Sequence, residues 1–262
     1  MKARLWLILA GAGLMATGGS AQSVLFDFNN LTATTTFPLN VMVGGITAYF
    51  SGTGSSYSIQ PANTMGFTPT NFSGNCIFPN GGSTGDLLVS FSQPLISFSI
   101  WYAPQELGCD SSAIMRVTTY LNGTYVGTAT TNATATCPCN WPGQILQFDS
   151  AQRFNSVVVH YDKAPACADI GPIFMADNMN VTPAPPPLIL TGPMRLPGGE
   201  FQFSFTYTPG GTNMVLATTN LAQVLSNWNV LGAAVEILPG QFQFTDPQAT
   251  NGGHRFYRVL SQ

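Results

Sequence analysis

Charge is what this sequence has least of. Only 7% of its 262 residues are Asp, Glu, Lys or Arg, against about 25% in an ordinary globular protein. Without Lys2 and Arg4, six basic side chains face eleven acidic ones. No basic stripe exists, so nucleic acid has no electrostatic footprint to bind. Histidine occurs twice, as His160 and His254, and no HExxH or GxSxG pattern is present, which argues against catalytic zinc and a Ser-His-Asp triad. No Gly-rich turn joins a strand to a helix, so nucleotide binding lacks its cradle. The apolar run from Leu5 to Met15 falls short of the roughly 20 residues that span a bilayer.

The chain is nevertheless 45% hydrophobic. It therefore escapes the low-hydropathy regime of disorder and predicts a folded protein with a neutral surface of hydroxyls and amides. Lys2 and Arg4, the Leu5–Met15 run and the small residues Gly19-Ser20-Ala21 read as a secretory signal over residues 1–21. The expected address is extracellular, periplasmic or at the cell surface. In that setting Cys76, Cys109, Cys137, Cys139 and Cys167 are disulfide candidates. Five is odd, so at least one is free or pairs between molecules. The pairing is open, with Cys109–Cys167 favoured. Cys137-Pro-Cys139 is CxC rather than CxxC, and no His lies nearby in sequence.

Period two governs the rest. Phe201-Gln-Phe-Ser-Phe-Thr-Tyr207 alternates strictly, sending its aromatics to one face. Leu87–Phe91 and Ile96–Tyr102 read as two strands about a turn at Ser92-Gln93-Pro94. Asn122-Gly123 between Met115–Leu121 and Thr124–Thr128 predicts a two-residue hairpin that sets Tyr120 opposite Tyr125. The one helical signal is a short turn over Asn220–Ser226. Pro183 and Pro185–Pro187 mark a stiff connection. The expected fold is all-β: a jelly-roll β-sandwich over 22–181, a linker over 182–187 and a smaller Ig/fibronectin-like β-sandwich over 188–262.

Glycoside hydrolysis needs two facing carboxyl groups, and Glu106 with Asp110 is the acidic pair of one first-domain loop. Asp27, on the first strand, and Asp177 with Asn178, on the last strand of that domain, offer hard oxygen ligands on neighbouring strands, the chemistry of a structural calcium ion. Sugar binding needs aromatic faces among hydroxyls and amides. Trp101, Tyr120, Tyr125 and Trp141, with Arg116 beside the tyrosines, are the candidates. The Tyr120/Tyr125 pair also reads as a structural cross-strand contact.

Phe26-Asp27-Phe28, Tyr120-Leu-Asn-Gly-Thr124, Phe154-Asn-Ser-Val-Val-Val-His-Tyr161 and Gly171-Pro-Ile-Phe-Met-Ala-Asp-Asn-Met179 resemble jelly-roll modules of secreted bacterial proteins. Such jelly rolls include carbohydrate-binding modules, some with calcium near the first and last strands. Thr218-Thr-Asn-Leu221, Trp228, Phe242-Gln-Phe-Thr-Asp246 and Arg255-Phe-Tyr-Arg-Val259 resemble a small C-terminal β-module of fibronectin-like size. The resemblance implies a secreted, non-enzymatic binding protein that contacts polysaccharide through its first domain. A structural or adhesive surface protein without sugar affinity is the alternative, and a polysaccharide hydrolase or lyase the third reading.

Overall fold

The computed structural model describes residues 22–81, 85–104, 114–133, 143–163, 173–251 and 254–261. The fold is all-β, and among the described residues no helix is long and apolar enough to cross a membrane. Two compact units divide the chain between residues 185 and 186.

The first unit contains β1 (Val24–Phe26), β2 (Leu39–Val43), β3 (Ile46–Gly52), β4 (Tyr57–Pro61), β5 (Asn75–Pro79), β6 (Leu87–Pro104), β7 (Ile114–Leu121), β8 (Thr124–Asn132), β9 (Gln144–Lys163) and β10 (Phe174–Pro183). Hydrogen bonding joins all ten into one antiparallel network because β6 and β9 each serve two layers. The first half of β6 pairs with β3 and with the second half of β9, which continues to β7 and β8. The second half of β6 pairs with β10 and with the first half of β9. β5 and β1 lie along the other side of β10, and β4 lies beyond β5.

The expected turn at Ser92-Gln93-Pro94 is instead a corner within one strand. Residues 91–94 of β6 lie opposite Asn155 alone, and residues 150–153 of β9 lie opposite Ile96 alone. Two compensating bulges bend both strands together, as corners between packed sheets require. Pro94 fits there because a bulge asks for no ladder N–H from it. The sequence pattern misleads at this point because a bulge and a turn recruit the same residue types.

Alternation sends Leu87, Val89, Val117, Val157 and Val159 from one layer against Phe98, Ile100, Tyr102, Leu146 and Phe174 from the other, all at most 1% exposed. A second, smaller cluster lies on the outside of the β10 layer. There Ala62, Phe67 and Phe72 of the segment after β4 cover Cys76, Phe78, Trp101, Ala103 and Met175. Strand β10 runs to Pro183, two residues into the expected linker. Ala184 N donates to Pro94 O at 2.8 Å, and Arg153 donates to Pro185 O at 2.7 Å, so the start of the proline-rich segment is held against the first unit.

The second unit is a seven-stranded sandwich of β11 (Thr191–Arg195), β12 (Phe201–Thr206), β13 (Asn213–Thr218), β14 (Asn229–Ala233), β15 (Val235–Leu238), β16 (Gln241–Asp246) and β17 (Phe256–Ser261). Its sheets run β11-β12-β16-β15 and β14-β13-β17. The first has the A-B-E-D order of an immunoglobulin constant-type sheet. Phe203, Phe205, Val215, Phe242 and Phe244 form the core. The expected helical turn is a 3-10 turn at Leu225–Asn227, preceded by Asn220, whose Oδ1 accepts from Ala222 N at 3.0 Å.

One buried polar knot ties β16 to β17. Asp246, 1% exposed, accepts from Gln248 N at 2.9 Å, from the Tyr257 hydroxyl at 2.9 Å and from the Arg255 guanidinium. Burial and the neighbouring carboxylate push the Tyr257 hydroxyl up to about 12. Removing the carboxylate strands a half-buried guanidinium and a backbone N–H. Asp246→Ala is expected to destabilise the second unit by about 3 kcal/mol, measured by denaturant unfolding, whereas the exposed Thr208→Ala is expected to stay within about 0.5 kcal/mol.

Candidate functional site: the outward face of the first unit

The antiparallel register builds a flat face residue by residue. Directly paired residues of neighbouring strands share a face. Asn40 of β2 pairs with Tyr49 of β3, Tyr49 with Ser90 of β6, and Ser90 with Ser156 of β9. Ser156 pairs with Tyr120 of β7, and Tyr120 with Tyr125 of β8. The result is one row across six strands, roughly 24 Å long at a strand spacing of about 4.8 Å. Tyr49 is 43% and Tyr125 59% exposed. A second row follows it, Ser51, Leu88, Val158, Thr118 and Thr128.

Charge borders the face rather than crossing it. Arg116 pairs with His160 in the ladder and donates to Asp162 at 3.0 Å. His160 Nδ1 pairs with Asp86 Oδ1. These two pairs hold Arg116, Asp162, His160 and Asp86 at one margin, apart from the aromatic row.

The hairpin tip is built as expected. Asn122 and Gly123 both take positive φ, 50° and 81°, which a type I′ turn requires. Asn122 N donates to Asn155 Oδ1 at 2.9 Å, and Asn155 Nδ2 returns a bond to Asn122 Oδ1 at 2.8 Å. Tyr120 and Tyr125 meet edge to face with centroids 6.3 Å apart. Beside them lies an open depression of about 570 Å³ lined by Leu121, Thr124, Tyr125, Val126, Gln152 and Arg153.

Among the other sugar-binding candidates, Trp101 is not on this face. It pairs with Asp177 on the opposite layer and packs under the segment after β4. Arg116 is tied into the ionic margin. Trp141 lies outside the described residues, as do Glu106, Asp110, Cys109, Cys137, Cys139 and Cys167. Cys76 is a free thiol buried in the smaller cluster, and burial together with nearby Asp177 pushes it up to about 12. A thiol so placed has little thiolate character. Tyr49, which completes the row, went unnoticed in the sequence because it sits alone among Ala48 and Phe50. Only the pairing of β3 with β6 reveals its alignment with Tyr120.

The acidic candidates do come together. β1 pairs with β10, and Asp27 lies close enough to Asp177 to raise its pKa. Asp177 is fully buried. It accepts from Ser73 N at 3.0 Å and Asn178 N at 2.7 Å, while Asn178 donates its amide to Asn71 O at 2.7 Å. None of the ion pairs among the described residues involves Asp27 or Asp177, and no group of three or more His, Cys, Asp or Glu gathers among those residues.

No protein-family model matches the chain, and no curated protein does. Solved structures give loose overlaps. The K1 cleaved adhesin domain of Lys-gingipain from Porphyromonas gingivalis W83 is similar over 62% of this chain and 99% of its own, at 10% identity and a TM-score of 0.36. A β-1,2-glucanase from Parabacteroides distasonis matches 87% of this chain and 35% of its own, at 12% identity and a TM-score of 0.30. The adhesin domain of Epf from Streptococcus pyogenes matches 94% and 88%, at 10% identity and a TM-score of 0.22. Overlaps at these scores carry no argument about function.

Burial pushes the Asp177 carboxyl up to about 7, against the lowering effect of its two backbone N–H donors and with a further raise from Asp27. The folded state then holds a proton that the unfolded chain has released, so stability falls as pH rises from about 4 to 7. Thermal unfolding of the first unit in chelator is expected to give a higher Tm at pH 5 than at pH 8. Asp177→Asn is expected to flatten that difference.

Proposed function

We propose that the protein is a secreted or surface-exposed binding protein whose first unit contacts a neutral polysaccharide through the outward β2-β3-β6-β9-β7-β8 face. The row from Asn40 to Tyr125 carries this reading. Exposed tyrosine rings offer apolar faces to sugar rings, while the serine hydroxyls between them and the Asn40 amide at the end of the row offer hydrogen bonds. The face is open and long, which suits an extended chain better than a small soluble ligand. Its neutrality favours an uncharged glycan, since desolvating a charged one would require ionic partners along the row.

Binding to a panel of soluble and insoluble neutral polysaccharides tests this, by affinity electrophoresis and pull-down. Tyr49→Ala and Tyr125→Ala are each expected to cost about 1–2 kcal/mol of affinity with the fold unchanged by circular dichroism. Binding that survives loss of both tyrosines would sink the proposal. Attachment to cell surfaces that vanishes in the same variants, without glycan affinity, would assign the face to adhesion of another kind.

A structural calcium ion beside this unit is a second proposal. The buried Asp177 carboxylate feels the charge of the partly exposed Asp27, and among the described residues neither is in an ion pair, an arrangement that a hard cation would complete. Asp27 and Asp177 would hold it with neighbouring carbonyl oxygens, and the ion would supply fixed positive charge between β1, β10 and the segment after β4. Calcium is expected to raise the Tm of wild-type protein and not of Asp27→Asn. Equal Tm values in calcium and in chelator would remove the ion.

A further inference from the structure

The first unit meets solvent along strand edges, and these edges differ. The free side of β4 is covered by main-chain bonds: Thr34 N to Ile59 O at 2.7 Å, Ile59 N to Thr35 O at 2.8 Å and Phe37 N to Tyr57 O at 3.0 Å. β1 has three residues and β2 five. β8 has nine and closes its layer with no strand beyond it among the described residues. Natural edges of that length are guarded by charge, proline or bulges. Thr124-Tyr-Val-Gly-Thr-Ala-Thr-Thr-Asn132 has no charged residue and no proline. Its bulge lies near the hairpin end, opposite Thr119–Tyr120, and the ladder from Gly127 to Asn132 is regular.

We propose that β8 is a self-association edge, pairing antiparallel with β8 of a second copy of this chain about a two-fold axis near Thr130. The sequence is self-complementary in that register. Thr130 meets the partner's Thr130, Thr128 meets the partner's Asn132, and Ala129 meets the partner's Thr131. Every facing pair is small and uncharged, and Thr–Thr pairs across strands are favourable. Thr128, Thr130 and Asn132 are exposed, so no side chain has to leave the core. A charged or bulky heterologous strand would find nothing here to select it, whereas an identical strand matches in shape and neutrality. The carbonyls of Gly127 and Thr131 already accept from Thr119 Oγ1 and the Tyr102 hydroxyl, and each keeps a second lone pair for the ladder.

The geometry has a consequence for the face. A two-fold perpendicular to the sheet keeps both outward faces on the same side. The layer β2-β3-β6-β9-β7-β8 then continues into its copy as one twelve-stranded surface carrying two tyrosine rows. The pairing itself stands whether or not those rows bind glycan.

Sedimentation velocity of residues 22–262 over a concentration series, without polysaccharide, reads the proposal directly. Wild type is expected to show a concentration-dependent dimer. Thr130→Lys and Thr130→Glu each place like charges face to face and are expected to weaken association by about tenfold or more, with Tm unchanged. Mixing the two variants is expected to restore dimer, because Lys then faces Glu. Met42→Lys on the β2 edge, at a side chain 72% exposed, is the control expected to leave association intact. A wild type that stays monomeric at its highest soluble concentration, or a dimer indifferent to both Thr130 variants, overturns the proposal.

Discussion

Two strands that turn a corner together decide the architecture of the first unit. β6 and β9 stay hydrogen-bonded through the bend because each sets four residues, 91–94 and 150–153, against one of the other strand, on opposite sides of the Leu95–Phe154 pair. A ladder that lost its register there would leave backbone N–H and C=O groups unpaired at the seam between layers, where water has no access. With register kept, alternation on either side of the corner is fixed independently. Val89 and Phe98, on the two arms of one strand, both point inward, and their neighbours Ser90 and Ser99 point out. The flat tyrosine face follows from this, because it exists only where five successive strand pairings place outward residues in line.

Low charge shapes the same face from another direction. A protein with few ionic groups must make its solvent layer from threonine, serine, asparagine and exposed rings. Such a surface is less repulsive toward neutral polymers and toward itself than one studded with lysine and glutamate. Confining Arg116, Asp162, His160 and Asp86 to paired positions at one margin removes nearly all net charge from the sheet between. The uncharged β8 edge follows from the same composition: the scarcity of ionic residues that keeps the face neutral also leaves the edge without its usual guards.

Much of this was readable in the sequence and some was not, for physical reasons that differ by residue. Strict alternation announced the strands, and Asn122-Gly123 announced its hairpin down to the Tyr120–Tyr125 pairing, because a two-residue turn leaves no freedom of register. Strands β1 and β10 pair as expected because first and last strands of a sandwich are neighbours. Trp101 misled because period two says which residues share a face, not which face a loop covers. The segment carrying Phe67 and Phe72 folds over that side and partly covers it. Tyr49 stayed hidden for the converse reason, since Ser90 and Tyr120 lie far along the chain from it and only long-range pairing puts them in one line.

The two buried carboxylates show how differently one chain can keep such a group. Asp246 is surrounded by donors of matching demand: a guanidinium, a phenol and a backbone N–H. Its charge is therefore answered within the second unit, and the knot holds β17 to β16 without outside help. Asp177 has only two backbone N–H donors and a second carboxylate for company. Dipoles that small do not balance a buried charge, so the group is pushed toward its neutral form. A carboxylate in that position is stable in two ways, by taking up a proton or by taking up a cation. Both act at the junction where β1, β10 and the covering segment meet.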